Sequence, residues 1–474
     1  VTCAVRHLVV IGNGMVGARF AEEVARRDPD GRRCRVTVVG AEAGGAYNRV
    51  LLPGVVAGDY TLDDIRLPEP ETPSVRVRTG VAARAIDPRR KTVALDDGTR
   101  LNYDRLVLAT GARARVPPVA GIADEAGRLA AGVSTLRDIA DCRRLMAQAR
   151  PGGAAAVLGG GVLGLEIARA LAGRGVRCTV VEAMPWIMHQ EIDEQAAEVL
   201  SRRYGEAGVA VCAGQAAARW HPTAGLELDD GRTLAAEALV LTTGVRGSTE
   251  LADAAGIATD HGVLVDDELA SSEPGVYAIG DCAQHPAGGA GLVQPGWEQA
   301  AVLADRLTGT GPGACYTGVR PVTRLKAEGI ELAAMGRLDT GDPVLTIDDF
   351  RAGRYARLSA QGDLVTGAVL LGFPRAAGTL GRLFATGSPL PAEPLALFHE
   401  SATAAADTGE EEPVCRCNAV SRDRIEAAWR DGARSRTSVA ERTRATTGCG
   451  ECARDVDALL SAWSGGDAAS RSQR

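Results

Sequence analysis

Residues 154–182 read AAAVLGGGVLGLEIARALAGRGVRCTVVE. A short apolar run leads into three glycines, then a helix-forming stretch, then a β-branched run. This is the pattern of strand, turn, helix and strand. Gly159, Gly161 and Gly164 form G-x-G-x-x-G across the turn. The first glycine permits the tight turn, the second lets backbone approach a pyrophosphate, and the third lets the helix pack close to the strand. The helix N-terminus then faces the anion. Glu182 closes the second strand, where a carboxylate can bind a ribose hydroxyl pair. Residues 7–26, HLVVIGNGMVGARFAEEVAR, repeat the pattern on Gly12, Gly14 and Gly17, and the strand RVTVVGAEA brings in Glu42. One such turn is weak evidence for a nucleotide, because helix–strand junctions use glycine without any ligand. Two in one chain are much harder to dismiss. The copies also agree further on: LNYDRLVLATGARA at 101–114 is matched by LAAEALVLTTGVRG at 234–247, bringing in Gly111 and Gly244. This is an internal duplication rather than a short-period repeat.

The chain has 474 residues and a net charge of −7. That length suits about three or four domains. No basic patch stands out, which argues against nucleic acid or an anionic membrane as the main partner. No apolar run approaches the ~20 residues needed to cross a bilayer. The opening VTCAVRHLVVIGNG runs straight into a strand with no signal-peptide pattern, so a cytoplasmic protein is expected. Of 11 cysteines, seven are isolated among mostly apolar neighbours and read as reduced, buried thiols.

Two signals select flavin for the first nucleotide unit. LATGA (Ala109, Thr110, Gly111) brings the chain back towards the first Gly turn. VYAIGDCA ends a strand on Gly280 and Asp281, where backbone can approach a ribityl phosphate and a carboxylate can accept from a ribityl hydroxyl. For the second unit, Glu182 would repel a 2′-phosphate, and AMPWIMHQEID after it offers no Arg or Lys to hold one. NADH is therefore expected ahead of NADPH.

The four remaining cysteines are paired as Cys415-x-Cys417 and Cys449-x2-Cys452. Four soft thiolates suit an iron–sulfur cluster or zinc. The stretch ESATAAADTGEEEP before them is polar, aromatic-free and acidic at its end, as linkers are.

Residues 1 to about 310 resemble the two-dinucleotide-binding flavoprotein reductases of the glutathione-reductase fold, in the order of their four motifs. No redox C-x4-C follows the first Gly turn; AYNRVLLPGVVAG stands in its place. That string, with MPWIM, TTGVRGSTELA, LKAEGIELAAMG and GAVLLG, resembles the NADH-dependent electron-input part of assimilatory nitrite and nitrate reductases. The resemblance implies that Tyr47, Asn48 and Arg49 line the flavin site and that Glu166 sits where nicotinamide meets flavin. In LLGFPRAAGTL, Phe373 stands where that pattern has Asp. The segment between the cysteine pairs resembles the bacterioferritin-associated-ferredoxin-like module, which implies a [2Fe–2S] cluster rather than zinc.

The expected fold class is α/β. Two Rossmann-like dinucleotide-binding domains, for FAD and NAD, are joined to an α+β interface domain and a small helical [2Fe–2S] module. The FAD domain is expected over 1–117 and 247–310, the NAD domain over 118–246 and the interface domain over 311–398. A linker at 399–413, the cluster module at 414–463 and a disordered tail at 464–474 complete the reading. The implied path is NADH, FAD, [2Fe–2S], then a partner. With only a tail after the module, the expected partner is a separate catalytic nitrate (molybdenum) or nitrite (sirohaem) reductase subunit. The alternatives are a reductase feeding a ferredoxin, rubredoxin or oxygenase, and a redox- or iron-sensing flavoprotein.

Overall fold

In the computed structural model of the chain, residues 5–471 are described except 71, 290, 340–341, 400–412, 416–417, 419, 449 and 451, with backbone alone for 465–471. Most of the expected linker thus lies outside the described residues, as do Cys417 and Cys449.

The apolar runs that read as strands are buried on both faces, as parallel sheets require. One five-stranded parallel sheet has the order Val276–Ala278, Arg105–Leu108, Arg6–Ile11, Cys34–Gly40 and Val75–Thr79. Its edge strand comes from far along the chain, so the first nucleotide unit is closed by residues that follow the second. The second sheet repeats the layout: Val209–Ala213, Arg177–Glu182, Ala154–Leu158, Ala238–Leu241 and Val133–Thr135. The duplication is therefore one of architecture as well as sequence.

A third, antiparallel sheet runs Val322–Ala327, Ile330–Gly336, Leu364–Leu371, Arg354–Gln361 and Asp342–Asp349. Its Leu325, Ile330 and Tyr355 share one apolar core with Val157 and Leu165 of the second unit. Tyr47, Leu52 and Val55 belong to the same core, which seats the segment AYNRVLLPGVVAG against the second nucleotide unit. Phe373 takes the N-cap position of helix Pro374–Thr386 without a capping hydrogen bond, and packs edge-on against Phe398, ring centroids 5.4 Å apart.

The thiol module contains helices Arg422–Arg430, Arg436–Thr443 and Ala453–Arg471 around a small core of Val420, Ile425, Val439 and Val456. The last helix corrects the disordered tail expected from 464: its backbone stays helical to Arg471. Ser461 and Ser464 bond back to the carbonyls of Asp457 and Leu460, keeping their hydroxyls satisfied within the helix.

Candidate functional site

The two Gly turns have the same geometry. Gly12 and Gly159 have φ of 117° and 113°, a region closed to side chains, and a Cβ on either would collide with a carbonyl oxygen of the returning chain, that of Ala109 or Thr242. Gly17 and Gly164 lie against the carbonyls of Gly12 and Gly159, so the third glycine of each motif serves helix packing. The helices Met15–Arg27 and Val162–Gly173 start at Gly14 and Gly161 with no side-chain cap. Their first N–H groups are left for a ligand anion.

A continuous cavity of about 1770 Å³ opens over the first turn. It brings together most of the residues expected there: Gly12, Gly14, Glu42, Arg49, Ala109, Thr110, Gly111, Gly280 and Asp281, and at its far side Glu166. Tyr47 and Arg49 both reach Glu42; the Tyr47 hydroxyl donates over 2.7 Å and the Arg49 guanidinium forms an ion pair. Burial raises the Tyr47 pKa far above the ordinary tyrosine range, so the hydroxyl remains a donor. Asn48 does not line the cavity. It is extended, and alternate side chains of extended backbone point to opposite sides. Its buried amide instead donates to the carbonyls of Thr447 and Gly448, at 2.9 and 2.5 Å, in the thiol module.

Arg137 escaped the sequence reading. It pairs with Asp281 at 3.1 Å, and its carbonyl accepts from Arg49 at 2.7 Å. No spacing rule marks it, because it follows the edge strand Val133–Thr135 of the second sheet and meets Asp281 only through the fold. Asp281 also accepts from the backbone N–H of Gly291 at 3.0 Å.

At the second turn Glu182 accepts from the N–H groups of Gly160 and Met184, at 2.7 and 2.8 Å. Gly244 lies where strand Val245–Gly247 pairs back onto Ala112–Ala114 of the first unit, and its surroundings are open. Neither residue lines the large cavity. Thr242, also unforeseen, donates to the carbonyls of Leu158 and Gly159 and fixes the turn.

Glu166 stands on the first turns of helix Val162–Gly173, with one carboxylate oxygen 3.2 Å from the backbone nitrogen of Lys326. Burial pushes its pKa up to about 7, opposed only in part by that N–H and by the Lys326 charge. It is a proton-carrying group poised near neutrality at the cavity wall.

In the thiol module Cys415 and Cys452 are buried, at 0 % and 3 % exposure. Cys415 and Val420 exchange backbone hydrogen bonds, and the Asn418 amide reaches the Cys415 sulfur at 3.8 Å. Buried thiols, a hydrogen bond to sulfur and a helical shell fit a thiolate-held cluster.

Residues 6–302 match the family model described as pyridine nucleotide-disulphide oxidoreductase, and 413–462 match the BFD-like [2Fe-2S] binding domain. The chain is similar to nitrite reductase [NAD(P)H] of Bacillus subtilis (strain 168), at 31% identity over 98% of this chain and 58% of that protein. It is similar to the assimilatory nitrate reductase electron transfer subunit of the same organism, at 32% identity over 96% of this chain and 59% of that protein. The chain thus spans less than two thirds of each. Among solved structures, the covalent putidaredoxin reductase–putidaredoxin complex aligns with a TM-score of 0.73 at 25% identity, over 85% of this chain and 97% of that one. No helix of the described residues is long and apolar enough to cross a membrane.

Proposed function

The chain belongs to the pyridine nucleotide-disulphide oxidoreductase family and is an FAD-dependent NAD(P)H oxidoreductase with a [2Fe–2S] domain; from that premise we propose that it is the electron-transfer subunit of an assimilatory nitrate or nitrite reductase, taking electrons from NADH and delivering them to a separate catalytic subunit. The observation that carries this reading is the seating of the thiol module on the segment beside the cavity of the first nucleotide unit. The similarity to a relative named as an electron transfer subunit supports it. A cytoplasmic setting, where reduced thiols and NADH are both present, is part of the proposal.

When bound, FAD takes two electrons together and yields them singly, and a [2Fe–2S] cluster carries one at a time. The chain's own residues do the rest. The uncapped N-terminus at Gly14 would hold the FAD pyrophosphate, with Glu42 near a ribose and Asp281, held by Arg137, towards the ribityl chain. The second turn, with Glu182, would hold the dinucleotide of NADH. Glu166 would then face the nicotinamide end. Cys415 and Cys452, with Cys417 and Cys449, would bind the cluster. Titrating the purified protein with NADH tests the route. Bleaching of flavin and cluster bands together, followed by nitrate- or nitrite-dependent reoxidation only with a reductase subunit present, is expected. A cluster band that NADH leaves unchanged overturns it.

The structural neighbour that is a reductase joined to putidaredoxin favours a second reading, in which the acceptor is a separate carrier protein such as a ferredoxin or rubredoxin. Reoxidation by such a carrier, and not by a nitrate or nitrite reductase, would select it.

Two results follow for the nucleotide site. Glu182→Ala should relax the preference for NADH over NADPH by about tenfold, as one lost charge repulsion of about 1.4 kcal/mol implies. The ratio of kcat/KM for the two nucleotides measures this, and a wild type that prefers NADPH refutes the role. Glu166 is protonated below about pH 7 and ionised above it. Its anion attracts the positive ring of NAD+ and does little to the uncharged dihydronicotinamide ring of NADH. NAD+ should therefore inhibit more strongly as pH rises through about 7, by about tenfold for one unit of coupling. In Glu166→Gln that slope should vanish, and a slope that persists places another group there.

A further inference from the structure

The segment standing where a redox cysteine pair would lie is the seat of the thiol module. Asn48 donates to the carbonyls of Thr447 and Gly448, which immediately precede Cys449. Gly450, on the other side of Cys449, lies so close to Leu51 that a Cβ would collide with it, and Gly450 also lines the large cavity. Arg436 lies over the ring of Tyr60, 5.2 Å from its centroid.

A second set of contacts holds the module to the first nucleotide helix, Met15–Arg27. The Arg444 guanidinium pairs with Glu22 and, at 2.9 Å, with Glu23. Burial alone would raise the Glu23 pKa, but hydrogen bonds from Arg26, Arg27 and Arg444 hold it at about 2, so it is a fixed anion at any ordinary pH. Arg444 has φ of 67° and closes helix Arg436–Thr443, a position that ordinarily favours glycine. An arginine held there is explained by what its side chain reaches. Its carbonyl accepts from Asn418, whose amide also reaches Cys415.

We propose that Asn48 and Arg444 are positioning residues for internal electron transfer: they dock the thiol loop against the wall of the first nucleotide cavity, and this docked arrangement is the one in which the cluster is loaded. The inference rests on the reading of the cluster as the electron exit. For each NADH oxidised to NAD+, one proton and two electrons are released. The electrons cross one at a time, each converting one iron(III) of the cluster to iron(II), so the cluster is loaded and emptied twice per NADH. Both contacts act at the crossing and neither acts at the nucleotide turns.

The test compares wild type with Arg444→Glu, Arg444→Lys and Asn48→Asp, each verified by iron content, flavin content and circular dichroism. Arg444→Glu meets Glu22 and Glu23 with like charge. Asn48→Asp keeps the oxygen that accepts from Val50 but turns a carboxylate oxygen towards two carbonyls. In stopped flow with NADH, flavin bleaching in Arg444→Glu should keep its wild-type rate while cluster bleaching slows by about tenfold or more. Small-angle scattering, which needs no turnover, should show a larger radius of gyration for Arg444→Glu and Asn48→Asp. Arg444→Lys should restore most of both. The ion pairs are screened by salt, so wild type at about 1 M salt should move towards Arg444→Glu. Cluster bleaching at the wild-type rate in both disruptive variants overturns the docking inference and leaves the exit reading standing. A wild-type cluster that NADH never reduces overturns the exit reading and the inference with it.

Discussion

Gly14→Val is expected to give a folded chain that purifies without flavin. A Cβ on Gly14 meets nothing nearer than the Arg49 Nε, at 3.9 Å. The added methyl groups therefore extend into the cavity and leave the protein packing intact. There they would cover the uncapped N-terminus of helix Met15–Arg27, where backbone must approach a pyrophosphate. Gly12→Ala and Gly17→Ala should behave differently. Their Cβ atoms would strike backbone carbonyls, and Gly12 has positive φ as well. Those two should lose stability, on the order of 3 kcal/mol or more, and unfold at lower temperature. Flavin-to-protein absorbance ratio and thermal melting separate the two outcomes. The wild-type ratio in Gly14→Val would show that the first unit does not hold FAD, whereas a lowered melting point without flavin loss would mean that Gly14 is a packing residue.

That contrast shows what the sequence makes legible. G-x-G-x-x-G announces three glycines with three duties, and the duties can be assigned from spacing because all three lie within one local turn. The α/β class and the α+β character of the interface domain were legible for the same reason, since period and turn residues are local signals. Arg137 was not, because its partner Asp281 is far away in sequence and the pairing exists only once two nucleotide units are stacked. Asn48 illustrates a second kind of loss. A resemblance can place a string at a cavity, but the extended backbone at Asn48 turns its side chain away from that of Tyr47, while Arg49, which opens the short 3-10 helix Arg49–Leu51, reaches back to Glu42. The helix running to Arg471 was hidden by two glycines and polar residues, a composition that reads as tail when its backbone bonding cannot be seen.

Cys452→Ser is expected to abolish turnover with the physiological partner while NADH oxidation by an artificial two-electron dye stays within about twofold of wild type. Serine keeps the size and removes the soft thiolate, so the metal set loses one of its four expected ligands. Cys452 is 3 % exposed and shares the module's core with Val456 and Leu460. That core is small, and a module of roughly fifty residues usually needs a metal or cross-link to stay folded. Losing the cluster should therefore also open the module to trypsin, which has Arg434, Arg442 and Arg454 to cut. The nucleotide turns draw their rigidity from other cores and should be unaffected. Partner turnover should fall by about two orders of magnitude or more, because the route through the cluster is removed and the flavin lies within its own cavity, away from the partner. Each competing reading gives another result. A zinc site would leave the wild type without iron and with the spectrum of flavin alone. A sensing cluster would leave partner turnover intact in the variant. Near wild-type partner turnover in an iron-free Cys452→Ser would defeat the exit assignment outright, and intact dye activity in the same sample would show that the defeat lies in the route and not in the flavin site.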